Sequence, residues 1–240
     1  MKNLVLLLLI ALIGWGFYNQ RNPPQPLATR FRPVDHPIEE RPFVCILCPG
    51  PESRHALESV TSQVYHNCRT IPLDENSELL AQLTTAIQTC ADREIILILN
   101  GRGWLAHEWV LARLNQFYAD PDLWLTYGQN LTPPSYTKSS SRPVTSENVR
   151  SIPRFIGPPI TFYASLFKQI DRSSLCYEEQ FVPAAHEFAY SIPLIELAHD
   201  HSQFLSEILY ISLPEEESEL TAYCERYIRT LPAYPPAEAL

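Results

Sequence analysis

Basic charge is what this sequence has least of. Its 18 Lys and Arg stand against 27 Asp and Glu, for a net charge of -9 and a pI near 5.3. A nucleic-acid binder needs clustered Lys and Arg against phosphates, so that class is excluded. A small phosphorylated ligand, which needs far fewer cations, is not. Charge of either sign is modest, at 19% of residues beside 45% hydrophobic and 11% aromatic. That balance excludes a disordered chain and supplies a sizeable core. The length, 240 residues, suits one large domain with appendages. No internal repeat recurs along the chain. Cys45 and Cys48 form a CxxC spacing, but no second such pair and no well-spaced His pair follows, so a zinc site is not expected. The two thiols lie in the apolar run "FVCILC", where strand alternation points them to opposite faces. All six cysteines read as buried free thiols, in keeping with a reducing compartment. His199, Asp200 and His201, in "AHDH", read as a solvated turn rather than a metal site.

At the amino terminus, "MKNLVLLLLIALIGWGFYNQ" runs apolar from Leu4 to Tyr18, longer than a signal-peptide core and a little short of a full span. No small-x-small cleavage site follows it, and Trp15, Phe17 and Tyr18 suit a membrane interface. Residues 1–20 therefore read as an uncleaved signal anchor, with a cleaved signal or a buried helix as the alternatives. Positive charges flank both ends of the run, so the positive-inside rule favours neither orientation. Residues 21–42 are rich in Pro and polar side chains and read as an extended linker.

From Phe43 the pattern changes. Buried-strand runs at 43–48, 68–74, 94–99 and 123–129 alternate with amphipathic helical stretches at 52–65, 75–91 and 107–120. Asn76 or Ser77 is the expected N-cap of the second helix. This order predicts a mostly parallel sheet with helices on its faces, the strands ending at Asp74 and Leu99 being central and adjacent. Residues 131–159 form a long polar loop. Helices are expected over 161–171 and 186–200, a strand over 204–213 and a last helix from about 216 to 230, within a C-terminal segment 214–240.

Several of these blocks resemble family 2 glycosyltransferases of GT-A fold. "ALESVTSQVYHNCRTIPLDENS" is similar to that family's opening, with an S-x-x-x-Q phrase ending the first helix and an acidic pair ending the second strand. "LILNGRGWLAHEWVLARLNQFYADPDLWLTYGQN" is similar to its next block, in which a strand runs into an Asp-Gly-Asp-Asp-Trp-like cluster. "TFYASLFKQI" and "EFAYSIPLIELA…FLSEILYISL" are similar to two later blocks, so that the resemblance covers residues 43–213. It implies a three-layer α/β/α GT-A-like sandwich behind an N-terminal hydrophobic helix, and a nucleotide sugar as ligand.

The resemblance also assigns roles. Asp74 and Glu75 fall on the acidic pair that contacts the nucleoside, and Glu187 falls on the carboxylate that deprotonates the acceptor hydroxyl. The metal-binding acids fall on Asn100, Arg102 and Gly103; of that cluster only Gly101 and Trp104 match. A divalent ion wants hard oxygen ligands, and Arg102 brings a positive charge instead, so no divalent metal is expected here. Either Arg102 replaces the metal and clamps phosphates, with Asn100 beside it at the nucleotide, or the transfer site has been lost. The expectation is a membrane-anchored glycosyltransferase-like protein without metal-dependent transfer. The alternatives are a metal-independent transferase and a non-catalytic envelope interaction protein.

Overall fold

The computed structural model describes residues 39–75, 78–152, 157–214 and 218–240. The anchor expected over 1–20, the linker up to residue 38 and the N-cap expected at Asn76 or Ser77 lie outside the described residues.

Five elements set the frame: β1 (Phe43–Leu47), α1 (Ser53–Thr61), β2 (Cys68–Pro72), α2 (Leu79–Gln88) and β3 (Ile95–Leu99). β1 and β3 are buried at every position, as expected of strands covered on both faces. Alternate β1 side chains feed two cores. Phe43, Cys45 and Leu47 pack with Ala56 and Val60 of α1, whereas Val44 and Ile46 pack with Leu80, Leu83 and Ile87 of α2. The two helices thus cover opposite faces. Right-handed crossovers on opposite faces travel in opposite directions. β2 accordingly lands on one side of β1 and β3 on the other, both parallel to it. The expected adjacency of β2 and β3 is corrected: β1 lies between them and β2 is the sheet edge.

The chain continues through β4 (Gly103–Leu105), α3 (Val110–Phe117), β5 (Leu125–Thr132), β6 (Thr137–Lys138), β7 (Gly157–Tyr163), α4 (Ala164–Phe167), β8 (Cys176–Tyr177), β9 (Gln180–Phe181), α5 (His186–Ala198), β10 (Ser202–Ser212) and α6 (Glu219–Thr230). The sheet order is β2-β1-β3-β7-β5-β10-β4, with β6 on β5. β7 runs antiparallel to β3 and β5, and β4 runs antiparallel to β10. The sheet is therefore mixed rather than mostly parallel. Two further expectations change with it. The helix expected over 161–171 is strand as far as Tyr163 and then one helical turn. Ile160, Thr161, Phe162 and Tyr163 are β-branched or aromatic, and every β7 residue is buried in the slot between β3 and β5. Within the loop expected over 131–159, β6 and the start of β7 are ordered pairings.

Helices lie on both faces. Val110, Leu111 and Leu114 of α3 join α1 in one core; α4, α5 and α6 join α2 in the other. The C-terminal tail is tied to that second core. Glu196, only 1% exposed, pairs with Arg150 through Nη2 at 2.8 Å. Arg150 also donates to the carbonyls of Ile228 at 2.8 Å and Pro232 at 3.1 Å. The Tyr234 amide donates to Glu196 at 3.1 Å. All six cysteines are free thiols, five of them buried. Cys45 and Cys48 fall in different cores, so they do point to opposite faces.

Candidate functional site

The reversal of direction at β1 creates a switch point at the carboxyl ends of β1 and β3, where ligands of open α/β sheets bind. Here the two loops close on each other. The Cys48 amide donates to the Leu99 carbonyl at 2.9 Å, and the Glu52 amide donates to the Gly101 carbonyl at 2.8 Å. A Cβ on Gly101 would lie 2.0 Å from the Pro49 carbonyl oxygen, and one on Gly50 2.4 Å from that of Gly101. Backbone meets backbone, which only glycine allows. Gly101→Ala should therefore force the loops apart and destabilise the domain by about 1–3 kcal/mol. Urea unfolding followed by circular dichroism reads this, and an unchanged midpoint would show that the contact carries no stability.

Asn100 and Arg102 are held by distant parts of the chain. The Tyr210 hydroxyl donates to Asn100 Oδ1 at 3.1 Å, and the Arg102 amide approaches the same oxygen at 3.4 Å. Tyr210 is buried in β10, and a Cβ on Gly103 would lie 2.4 Å from its ring. Glycine at this position thus makes room for the tyrosine. Arg102 Nη2 donates to the Pro214 carbonyl at 2.6 Å, and its own carbonyl accepts from the Leu213 amide at 2.9 Å. Its Nε is buried with no hydrogen-bond partner among the described residues.

Glu187 sits half-buried in the first turn of α5, just after Ala185 in the left-handed region at φ 57°. It lies close to Cys48, Tyr190 and Tyr210. Burial first, and then the Glu187 charge, pushes the Cys48 thiol up to about 12. The Tyr190 and Tyr210 phenols are raised well above their usual range, again by burial first and Glu187 second. Cys48 is thus a neutral thiol at physiological pH, and a neutral thiol is not a nucleophile.

Asn100 is bonded to Tyr210, the Glu187 charge acts on that same phenol, and Arg102 lies on the same loop as Asn100. Asp74 and Glu75 are exposed beyond the end of β2, across β1 from that loop. Asp74 is pinned by its main chain: its amide donates to Gln82 Oε1 at 2.8 Å and its carbonyl accepts from Gln82 Nε2 at 2.9 Å. Tyr210, Tyr190 and Cys48 were not foreseen from sequence. Tyr210 reads there as one more apolar position in "ILYISL", and nothing local marks its reach to Asn100. His199 and Asp200 pair at 3.2 Å, while His201 stacks on Trp124 at 3.7 Å and its Nδ1 lies 2.7 Å from the Asp122 carbonyl oxygen.

The donor set at this strand end does not fit a divalent cation. It offers an amide oxygen already accepting from Tyr210, a guanidinium and glycine backbone, where the ion wants several hard anionic oxygens. Among the described residues, no group of three His, Cys, Asp or Glu side chains is placed to hold a metal.

The mixed sheet with helices on both faces is a GT-A-like fold by its likeness to solved structures. Solved structures of glycosyltransferases share it at low identity. S. aureus TarS 1–349 superimposes with a TM-score of 0.50 at 13% identity, over 72% of this chain and 60% of that one. A longer S. aureus TarS structure gives 0.51 at 11%, over 72% and 37%. The chain thus spans three fifths or less of the TarS structures it matches. The mannosyltransferase PcManGT from Pyrobaculum calidifontis, in complex with GDP-Man and Mn2+, gives 0.49 at 13% identity, over 90% and 68%. No family model matches the sequence, and no curated protein matches it.

Proposed function

We propose that this is a membrane-anchored, glycosyltransferase-2-like protein that does not carry out metal-dependent sugar transfer. One observation carries the reading. At the strand end that would hold a metal, the two remaining polar side chains are already engaged, Asn100 by the Tyr210 hydroxyl and Arg102, at the surface, by the Pro214 carbonyl. A departing diphosphate needs its charge neutralised, and neither group is free to reorient without losing an internal hydrogen bond. Incubated with UDP- and GDP-linked hexoses, the full chain should release no nucleoside diphosphate above the buffer rate, with or without Mn2+. Release stimulated by Mn2+ would contradict the reading.

A second reading has its own observation. The buried Arg102 Nε lacks a partner among the described residues and could donate to a phosphate oxygen, as in a metal-independent transferase with Glu187 as base. That reading requires metal-independent turnover that Arg102→Ala abolishes.

The anchor rests on the apolar run over 4–18. Among the described residues, no helix is long and apolar enough to cross a membrane. Deleting residues 2–20 should therefore move the protein to the soluble fraction with its circular dichroism unchanged. A truncated protein that still sediments with membranes would place a membrane-binding surface in the folded domain.

A further inference from the structure

Three of the six large apolar side chains left exposed among the described residues lie along one pair of segments. Leu57 is on α1, 43% exposed, Val64 follows the end of that helix at 37%, and Trp109 precedes α3 at 57%. The chain from 104 to 109 runs beside α1 in step with it. The His55 and Trp104 rings lie 5.7 Å apart, and the Leu105 amide donates to Ser59 Oγ at 3.1 Å. Gln63 Nε2 donates to the His107 carbonyl at 2.8 Å, and the Val64 amide donates to the Glu108 carbonyl at 3.0 Å. Val64 is thus a neighbour of Trp109. The polar edge of the indole is turned to Glu108, with Nε1 donating to Oε1 at 3.1 Å, which leaves the rest of the ring as apolar surface.

The chain enters the domain beside this face. Glu39, Glu40 and Arg41 are pinned there by their backbone. Asn115 of α3 donates from Nδ2 to the Glu39 carbonyl at 3.1 Å, and its Oδ1 accepts from the Arg41 amide at 3.1 Å. Asn67 Nδ2 and the Tyr65 hydroxyl donate to the carbonyls of Glu40 and Arg41, both at 2.7 Å. Tyr65 adjoins Val64 in sequence. Asn115 follows Trp109 by six residues, about 9 Å along a helix. An anchor ahead of residue 39 therefore brings lipid to this side of the domain. The carboxylates of Glu39, Glu40 and Glu108 border the face and are exposed, so it has no attraction for anionic headgroups.

We propose that the face of Leu57, Val64 and Trp109 rests on the uncharged lipid surface next to the anchor. The inference rests on the anchor reading above and on no sugar or nucleotide. The indole sits at headgroup level, the depth Trp prefers. Three partly exposed side chains bind weakly, at about 10³ M⁻¹ against about 10⁴ M⁻¹ for a single acyl chain. A short flexible tether supplies an effective concentration of about 1 mM, so docked and undocked forms are about equally populated. Without the tether the domain stays in solution, in keeping with the outcome expected when residues 2–20 are deleted. Docking turns the carboxyl ends of β1 and β3, with Asn100 and Arg102, away from the bilayer, because residues 39–42 lead into the opposite end of β1.

The test uses the full chain in nanodiscs of brominated phosphatidylcholine, whose bromines quench tryptophan on contact. The emission that Trp109→Phe removes is that of Trp109. In brominated discs this difference should be about half of its value in unbrominated ones. Leu57→Ser/Val64→Ser, a change confined to exposed positions, should restore most of it. Phosphatidylglycerol in the discs should restore it too, by repelling the three carboxylates. A chain that does not travel with the discs would sink the anchor and this proposal together. A chain that does, with Trp109 unquenched, would overturn this proposal alone, and so would quenching that grows with phosphatidylglycerol. An unquenched Trp109 that becomes shielded only when two copies share a disc would give the face to a second copy instead.

Discussion

Glu196→Ala should cost the domain about 3–5 kcal/mol, the usual penalty for stranding one partner of a buried ion pair. Glu196 is 1% exposed and the Arg150 side chain 17%. Removing the carboxylate leaves a guanidinium with only the Ile228 and Pro232 carbonyls, and leaves the Tyr234 amide without its acceptor. The damage should spread along the tail that these bonds tie down. Most single domains hold only about 5–15 kcal/mol, so a large share of the stability is at stake. Urea unfolding of the full chain should show a much lower midpoint. Arg150→Met/Glu196→Leu, which removes both charges, should be less destabilised than the single variant. A double variant no better than Glu196→Ala would mean that the loss is one of packing, not of an unpaired charge.

The second large effect is a gain. Asn100→Asp/Arg102→Asp places two carboxylates one residue apart at the end of β3 and removes the cation. Tyr210, which now donates to the Asn100 oxygen, can donate equally to an aspartate. The Glu187 charge acts on that same Tyr210 phenol. With uridine diphosphate present to supply phosphate oxygens, the double variant should bind Mn2+ measurably and the wild type should not. Transfer need not return, because the loops at Pro49–Gly50 and Gly101 are closed on each other. If the wild type binds as well as the variant, the reading of Arg102 is wrong. If neither binds, the turn has been remodelled too far for two acids to recreate the site.

The first three strands and the helices between them were legible because their apolar residues follow the two backbone periods. The alternation at Phe43–Leu47 even assigned Cys45 and Cys48 to their faces. Lateral strand order was less legible. Chain order could not show that α1 and α2 cover opposite faces, and that placement decides that β3 settles beyond β1. β7 was misread because a short apolar run fits a helix or a strand alike until the slot between β3 and β5 selects one. At the candidate site, the positions of Asn100, Arg102 and Glu187 at element ends could be read, but their partners could not. Tyr210 lies 110 residues from Asn100, and Pro214 lies 112 from Arg102. Bonds of that span leave no local pattern. Only Gly103 hints at one, since a residue without a side chain beside Trp104 leaves space that some other group must fill.

The most direct measurement is a calorimetric titration of the wild-type full chain with UDP- and GDP-linked hexoses, run with Mn2+ and again with chelator. A strand end that offers one amide oxygen, already accepting from Tyr210, and a guanidinium bonded to Pro214 supplies no anionic oxygen for the ion. The two titrations should therefore coincide for each nucleotide sugar. Binding that appears or tightens only when Mn2+ is present would contradict this.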